Sequence, residues 1–215
     1  MRKERVRTDR AIVIPCKALA HGKSRLAPVL APDARARLCA RLLRRTLDAA
    51  VALVPSSAVW LVTADAEAAS LAVRCGVTVV GDPGADLNAA LEAARRAVFG
   101  RDVLEGLFIL PIDLPLLDPA ALADVMAVEA DVAIASDRRG SGTNALNLSG
   151  AAARHLPFSY GEGSFLRHCD LARRGGHTLR VVTNDTLAFD LDEPRDWHEL
   201  NATSSERRPG AAMAG

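Results

Sequence analysis

The chain has 215 residues, of which 49% are hydrophobic, and this is sufficient for one full core without a second domain. Its 27 basic residues balance 26 acidic residues, and the net charge of +1 creates no field that would favour nucleic acid or an anionic membrane. Aromatic residues make up only 4% of the chain, which argues against stacking platforms for single-stranded nucleic acid.

The expected location is the cytoplasm. No apolar run approaches the roughly 20 residues that a membrane helix needs, and no signal-like apolar stretch follows the charged residues 1–10. The four cysteines are scattered, with neither a Cys-x-x-Cys pair nor a histidine at zinc-finger spacing. We therefore expect them to be small buried residues in a reduced compartment.

Short apolar runs alternate with amphipathic stretches up to residue 135. The apolar runs predict β-strands at residues 11–16, 58–63, 77–80, 107–110 and 131–135. The amphipathic stretches predict helices at residues 33–54, 65–74 and 87–99, and a further helix opens at Asp118-Pro119. This repeated order, with continuous apolar strands, is typical of a parallel sheet that has helices on both faces.

After residue 135 the pattern changes to a glycine-rich loop, a short strand, an irregular stretch, a helix near residues 164–174 and two β runs. The predicted fold class is therefore a single α/β domain with a mixed, mostly parallel sheet, whose second half builds the specific pocket. The domain is expected to span residues 11–202, with residues 1–10 and 203–215 as flexible tails. Because ligands of open α/β sheets bind beyond the carboxyl ends of the strands, the segments that follow the strands should converge on one edge: Lys17, Gly81, residues 111–113 and residues 137–143.

Three aspartates stand at the ends of apolar runs. Asp113 lies in Leu-Pro-Ile-Asp-Leu-Pro, and Asp190 and Asp192 lie in Phe-Asp-Leu-Asp-Glu-Pro. Ionised carboxylates are costly against apolar neighbours, and on a strand Asp190 and Asp192 would face the same side and repel each other. These residues predict a Mg²⁺ site, since Mg²⁺ takes oxygen ligands. The alternatives are a turn or capping aspartate at position 113, where Asp118 is the better cap, and a solvated edge strand for the pair.

A basic loop follows the first predicted strand, where a nucleoside triphosphate would lie. It contains Lys17, Lys23 and Arg25, which we interpret as a phosphate-binding set. Gly22-Lys-Ser resembles a P-loop only superficially, because the first glycine is missing at the required spacing. The alternative interpretation is an exposed basic loop without a ligand.

Two glycine-rich segments carry hydrogen-bond donors. Residues 137–146 read Asp-Arg-Arg-Gly-Ser-Gly-Thr-Asn-Ala-Leu, and their glycines allow the backbone to approach an anion beside Thr143. Residues 160–168 read Tyr-Gly-Glu-Gly-Ser-Phe-Leu-Arg-His and place Ser164 at a predicted helix N-terminus, whose free N–H groups bind anions. Arg167 or His168 would add charge there, although His168 alone is more typical of a packed or surface histidine than of a catalytic one.

Taken in order, these motifs resemble the 2-phospho-L-lactate/phosphoenolpyruvate guanylyltransferase family of coenzyme F420 biosynthesis. The motifs are Lys17 with Lys23-Ser-Arg-Leu, Asp113-Leu-Pro, the two glycine-rich segments and Asp190-Leu-Asp-x-Pro. The resemblance covers residues 11 to about 200. It implies the nucleotide-diphospho-sugar transferase fold, related to the glycosyltransferase-A type, together with GTP and Mg²⁺.

The resemblance also implies a role for particular residues. The metal-binding acids of the family match Asp113, Asp190 and Asp192. The residues that hold the small phosphorylated acid match Lys17, Thr143, Gly161 and Ser164. The segment Asp86-Leu-Asn88 resembles the part that meets the nucleotide, beside Lys23 and Arg25.

The expected reaction needs no general base. The acceptor is a phosphate monoester with a second pKa of about 6, so its dianion can attack the α-phosphorus of GTP while pyrophosphate leaves. Lys17, Lys23 and Arg25 are the predicted catalytic cations, since the enzyme must hold two polyanions in line. Phosphoenolpyruvate, 2-phospho-L-lactate and 3-phospho-D-glycerate all remain candidate acids. The product is expected to pass to a downstream F420-pathway transferase, and a homodimer is compatible with the sequence.

Other functions stay open at this stage. A molybdenum-cofactor guanylyltransferase or a sugar-phosphate cytidylyltransferase would share the fold, but these usually begin with a glycine-rich loop, whereas this chain reads Pro15-Cys-Lys-Ala-Leu-Ala-His-Gly. A non-catalytic nucleotide-binding regulator would not need three carboxylates placed for a metal. A dehydrogenase is disfavoured because no Gly-x-Gly-x-x-Gly follows the first strand.

Overall fold

The computed structural model describes residues 9–101 and 104–206. Within these residues the strands of one mixed sheet are Arg10–Pro15 (β1), Val59–Thr63 (β2), Thr78–Gly81 (β3), Gly106–Ile109 (β4), Val132–Ser136 (β5), Thr143–Ser149 (β6) and Leu179–Val181 (β7). The helices are Pro32–Val51 (α1), Ala66–Arg74 (α2), Leu87–Phe99 (α3), Pro119–Met126 (α4), Gly150–His155 (α5), Ser164–Arg174 (α6), Asp185–Ala188 (α7) and Pro194–Glu206 (α8).

The strand order is β3-β2-β1-β4-β6-β5-β7. Strands β1 to β4 are parallel to one another, and only β6 among the described strands runs antiparallel to its two neighbours, β4 and β5. The carboxyl ends of all the parallel strands and the start of β6 therefore lie at the same edge. This confirms the predicted mixed, mostly parallel sheet and places the loops that follow the strands side by side.

Alternate residues of β1 divide the core into two layers. Ile12 and Ile14 pack with buried residues of α1, α2, α4 and α7 on one face of the sheet. Ala11 and Val13 pack with buried residues of α3, α5 and α6 on the other face. Because side chains of a strand alternate between faces, an uninterrupted apolar strand requires helices on both sides, as the sequence predicts.

A third, smaller cluster fastens the basic loop to the C-terminal segment. Leu26, which follows the basic loop, is fully buried together with Leu191, and both pack against Leu38 and Leu42 of α1. Full burial of a leucine side chain stabilises a fold by roughly 1.5–3 kcal/mol. This cluster brings Asp192, the residue after Leu191, close to the loop that carries Lys23.

Several predicted boundaries need correction. Arg10 belongs to β1 rather than to a tail, because it is buried and its guanidinium donates to the side chain of Asn147. Helix α8 continues to Glu206, beyond the predicted domain end at residue 202. Residues 1–8 and 207–215 of the predicted tails lie outside the described residues.

Three further differences concern single elements. Helix α1 ends at Val51, before the predicted residue 54, and the predicted irregular stretch contains the short helix α5. The second β run after α6 is not a strand, because its Leu191 N–H donates to the Asp113 carbonyl (2.9 Å) without forming a ladder.

In the part of the chain that the structure describes, no helix has the length and apolar character needed to cross a membrane.

Candidate active site

The ends of β1 and β4 open into a cleft of about 470 Å³. Its lining includes five of the residues predicted for the site: Lys17, Lys23, Arg25, Asp113 and Asp192. Lys17 and Arg25 are exposed, while Lys23 and the two carboxylates are partly buried. The cleft therefore brings the predicted cations and two of the predicted metal ligands together at the edge of the sheet.

Lys23 joins the two carboxylates of this cleft. Its Nζ lies 2.7 Å from Asp192 Oδ1 and 3.4 Å from Asp113 Oδ2, and its side chain is only 9% exposed. Burial lowers the pKa of Lys23, but the charges of Asp113 and Asp192 outweigh that effect and raise it above its usual value. Lys23 is therefore a fixed ammonium ion in the centre of the acidic group.

The backbone at Lys23 is strained. Lys23 has a left-handed conformation (φ 53°, ψ 40°), and it is the only described residue other than glycine with a positive φ. Such a conformation costs roughly 1–2 kcal/mol for a residue with a side chain. It is tolerated because Leu26, three residues later, is buried in the third cluster and fixes the turn.

Three hydrogen bonds position the backbone that carries the carboxylates. The Asp113 carbonyl accepts the Leu191 N–H (2.9 Å), which ties the end of β4 to the segment that carries Asp190 and Asp192. Asp196 Oδ2 accepts the N–H groups of Asp192 (3.0 Å) and Glu193 (2.7 Å). The bond from the Glu193 N–H is the back-reaching half of a capping box at the start of α8, and the bond from the Asp192 N–H fixes the backbone of Asp192.

Asp190 differs from the other two carboxylates. It lines a neighbouring cleft of about 250 Å³ that also contains Arg138, Arg139 and Arg195, yet among the described residues it forms no ion pair with an arginine or lysine. Burial, reinforced by the charges of Asp113 and Asp192, raises the pKa of Asp190 to about 6. The three acids therefore repel one another in spite of Lys23.

The described part of the chain contains no group of three or more His, Cys, Asp or Glu side chains arranged to hold a metal ion. Asp113 and Asp192 instead share Lys23, but Asp113 Oδ1 is buried and has no hydrogen-bond partner among the residues that the structure describes. Mg²⁺ is usually held by one or two protein carboxylates, with the rest of its shell left to water and phosphates. The magnesium site therefore stays a prediction.

The first glycine-rich segment is a tight turn closed by its own aspartate. Asp137 Oδ1 accepts the Ser141 N–H (2.7 Å), and the Asp137 N–H donates to the Gly142 carbonyl (3.2 Å). Arg138 pairs with Glu199 (2.7 Å) and Asp196 (3.3 Å) of α8. Its neighbour Arg139 pairs with Glu193 (3.0 Å). Both arginines are thus paired with acids of α8 or of the residue before it, which the sequence did not indicate.

The second glycine-rich segment forms the approach to α6. Gly161 has φ 121°, a conformation that a side chain rarely adopts, and an added Cβ would lie 3.3 Å from Arg167. The Ser164 N–H donates to the Gly161 carbonyl (3.1 Å) and the Phe165 N–H to the Ser141 carbonyl (3.0 Å). The expectation that these amides are free for an anion is therefore wrong, and the Ser164 hydroxyl, which forms no hydrogen bond within the described residues, is the group that remains.

Thr143 and His168 form a buried pair behind this segment. Thr143 is 6% exposed and His168 is fully buried, and Thr143 Oγ1 lies 3.0 Å from His168 Nδ1. Burial, with a contribution from the charge of Arg167, lowers the pKa of His168 to about 4. The suggestion that His168 adds charge to the site is therefore wrong, whereas its interpretation as a packed histidine agrees with the structure.

The predicted nucleotide segment begins helix α3. Asp86 is exposed and caps the helix by accepting the Ala89 N–H (2.8 Å). Asn88 holds the backbone of Tyr160, since its Oδ1 accepts the Tyr160 N–H (2.8 Å) and its Nδ2 donates to the Tyr160 carbonyl (3.3 Å). The Asn88 amide is thus engaged in joining α3 to the second glycine-rich segment, and Leu87 beside it lines the larger cleft.

Sequence reasoning missed three residues that shape the site. Asp65 caps α2 and also accepts the Leu19 N–H (2.9 Å), which holds the basic loop against β2. Asp196 holds the turn at Asp192, and the pattern Glu-Pro-x-Asp at the start of α8 was an available signal for it. Tyr160 has a buried hydroxyl without a partner among the described residues, for which the sequence carries no signal.

Solved structures share this fold. A protein described as a nucleotide-diphospho-sugar transferase from Desulfovibrio desulfuricans G20 is similar with a TM-score of 0.70 and 17% identity, covering 94% of this chain and 92% of that one. A nucleotidyl transferase from Methanothermobacter is similar with a TM-score of 0.62 and 19% identity, covering 93% of this chain and 99% of that one. At these identities the likeness establishes the fold, and the predicted fold class is confirmed.

Proteins related in sequence show more than the fold. A phosphoenolpyruvate guanylyltransferase of Chloroflexus aggregans is 42% identical over 189 residues, which are 85% of this chain and 92% of the relative. A phosphoenolpyruvate guanylyltransferase of Rubrobacter xylanophilus is 40% identical over 93% of this chain and 98% of the relative. The family model "Guanylyl transferase CofC like" matches residues 10–208. The chain therefore belongs to the CofC-like guanylyltransferase family and is a nucleotidyltransferase.

Proposed function

We propose that the chain transfers GMP from GTP to the phosphate of a small phosphorylated carboxylic acid and releases pyrophosphate, as a step of coenzyme F420 biosynthesis. Phosphoenolpyruvate is the first candidate because the relatives named above are phosphoenolpyruvate guanylyltransferases, and 2-phospho-L-lactate and 3-phospho-D-glycerate are the others. The observation that carries the proposal is the cleft at the sheet edge, where Lys23 joins Asp113 and Asp192 beside the exposed Lys17 and Arg25.

The reaction itself requires little proton transfer. An oxygen of the acceptor phosphate, already a dianion near neutral pH, forms a bond to the α-phosphorus of GTP. The bond from that phosphorus to the bridging oxygen breaks, and its electron pair leaves with pyrophosphate. The task of the protein is to reduce the repulsion between two polyanions and to hold them in line. Lys17, Lys23 and Arg25 line the cleft where this charge would collect.

The residues present fit Mg²⁺. Asp113 has a buried oxygen without a hydrogen-bond partner among the described residues, and burial together with the charges of Asp113 and Asp192 raises the pKa of Asp190. A cation would relieve both. Asp113, Asp190 and Asp192 would hold the ion. Bound there, Mg²⁺ would supply positive charge to the triphosphate.

The acid is proposed to bind beside this cleft, on the same edge of the sheet. Thr143 begins β6 at this edge, and Gly161 and Ser164 lie on the adjoining segment that Asn88 ties to α3. Lys17, from the basic loop, is the proposed link between the acid and the nucleotide. Asp86 and Asn88 are proposed to face the nucleotide at the start of α3, with Asn88 acting through the Tyr160 backbone.

The test combines the purified chain with GTP, Mg²⁺ and each of the three acids separately, and follows pyrophosphate release and product mass. The proposal expects one product whose mass is that of the acid plus GMP, and a coupled assay with a downstream F420-pathway transferase tests its onward use. Pyrophosphate released only from CTP with a sugar phosphate, or only from GTP with the molybdenum cofactor, would refute the proposal. GTP binding without pyrophosphate release would favour the alternative of a non-catalytic nucleotide-binding regulator.

The cytoplasmic location and a homodimer stay predictions.

A further inference from the structure

His168 is bonded through both ring nitrogens although it is fully buried. The Ser159 N–H donates to His168 Nε2 (2.9 Å), and His168 Nδ1 lies 3.0 Å from Thr143 Oγ1. The Tyr160 ring and the imidazole pack in a T-shaped arrangement, with the ring centroids 4.9 Å apart. This histidine therefore connects the second glycine-rich segment to the first residue of β6.

The direction of one bond determines the direction of the other. A backbone N–H can only donate, so Nε2 must be the acceptor and carries no hydrogen. In the neutral ring the hydrogen is then on Nδ1, and the bond to Thr143 runs from Nδ1–H to Oγ1. The opposite tautomer would bring two hydrogens together between Ser159 and Nε2.

The Thr143 hydroxyl cannot donate to His168 in this tautomer. Because Oγ1 accepts from His168, the hydroxyl hydrogen is left to be donated to another group, and His168 is the only hydrogen-bond partner found for Oγ1 within residues 9–101 and 104–206. Burying a donor without an acceptor is unfavourable. The Tyr160 hydroxyl is likewise buried without a hydrogen-bond partner among the described residues, and the ring that carries it packs on the same imidazole.

We propose that His168 is a positioning residue: as the Nδ1–H tautomer it forces the Thr143 hydroxyl to donate to the anionic acid that accepts GMP. The inference rests on the proposed function, which places the acid at Thr143. It assigns a role to a histidine that never touches the reacting atoms and never titrates in the reaction. The Tyr160 hydroxyl is the second donor of the same subsite.

Two substitutions at position 168 separate positioning from packing. His168→Gln keeps an acceptor near the place of Nε2 for the Ser159 N–H but loses the donor to Thr143. His168→Asn keeps a donor near the place of Nδ1 but loses the bond to Ser159. We expect His168→Gln to raise the KM for the acid by about 10- to 100-fold with little change in Tm or in the KM for GTP. We expect His168→Asn to lower Tm while the KM for the acid stays within about threefold of wild type.

Thr143→Val completes the comparison. It should raise the KM for the acid as much as His168→Gln does, and adding His168→Gln to it should change nothing further. A purely structural role predicts that the KM for the acid follows Tm in both His168 variants, and that result would overturn the inference. Additive effects of His168→Gln and Thr143→Val would also overturn it.

The tautomer is measured independently of turnover. Long-range ¹H–¹⁵N correlation on the full-length chain, with the His168 signals assigned by their loss in His168→Gln, should report an Nδ1–H imidazole at neutral pH. An Nε2–H tautomer or an imidazolium refutes the inference whatever the enzyme does. Absence of turnover with all three acids refutes the proposed function instead, so the two failures are distinguishable.

Discussion

Asp190 is the carboxylate whose replacement tests the electrostatics of the site most directly. Its pKa is raised from 3.8 to about 6 by burial and by the charges of Asp113 and Asp192. A difference of about 2 between the folded-state and unfolded-state pKa corresponds to about 3 kcal/mol of free energy. Because Asp190 is only partly buried, solvent screening reduces this to about 1–2 kcal/mol. We predict that Asp190→Asn raises the free energy of unfolding by that amount at pH 7.5.

The pH dependence has a defined sign. The folded-state pKa lies above the unfolded value, so the wild-type chain has its full stability from this group below pH 3.8 and loses it as the pH rises through 6. The advantage of Asp190→Asn should therefore be about half as large at pH 5 as at pH 7.5, because the loss is about half complete there. Urea denaturation in the presence of a chelator measures both values without a contribution from bound metal.

Asp192→Asn is the matched control. Asp192 forms an ion pair with Lys23 at 2.7 Å. Neutralising Asp192 removes this attraction, so the free energy of unfolding should stay unchanged or fall. Asp190→Asn should also lose turnover despite its greater stability. An Asp190→Asn chain that is no more stable than wild type, or whose advantage is the same at pH 5 and pH 7.5, would show that the three acids do not repel one another.

Three further substitutions probe the cleft and the proposed acid subsite beside it. Asp113→Asn should reduce kcat by about 10²- to 10³-fold with an unchanged circular dichroism spectrum, and wild-type rates would exclude Asp113 from the site. Lys23→Met leaves two partly buried carboxylates without their ammonium ion and should cost about 1–3 kcal/mol of unfolding free energy, part of which Mg²⁺ restores; equal stability with and without Mg²⁺ would contradict this. Tyr160→Phe removes a buried hydroxyl without a partner among the described residues, so thermal unfolding should show equal or slightly higher stability, while the KM for the acid rises; an unchanged KM would remove Tyr160 from the acid subsite.

The elements that could be predicted from the sequence are those with local signals. Helices α3 and α6 begin and end where periodicity and glycine place them, and Asp118 caps α4 as expected. Helix α5 was missed because six residues show too little periodicity. The alternation of buried and exposed residues around Leu191 was interpreted as a strand, but it arises from packing against Leu26 and α1.

In the site, too, residues placed by the order of the strands were predictable, whereas contacts between distant segments were not. Residues that follow strands lie at the sheet edge, as the parallel order requires, and Lys17, Asp113 and Thr143 were predicted on that ground. The ion pairs were not predictable, because they depend on contacts between distant segments. Lys23 reaches Asp192 only through a left-handed turn and the third cluster, and Arg138 reaches Glu199 only because α8 docks beside the first glycine-rich segment.

The protonation states of the site are consistent with catalysis by charge rather than by proton transfer. His168, which would be the natural general base, is buried and its pKa of about 4 keeps it neutral, with both nitrogens bonded to protein groups. Lys23 stays an ammonium ion because Asp113 and Asp192 raise its pKa. A substrate that already carries an ionised phosphate needs no base, whereas a hydroxyl acceptor would need one within hydrogen-bond reach. Because the proposal assigns Asp190, the carboxylate with a pKa of about 6, to Mg²⁺, these protonation states fit the proposed phosphate acceptor.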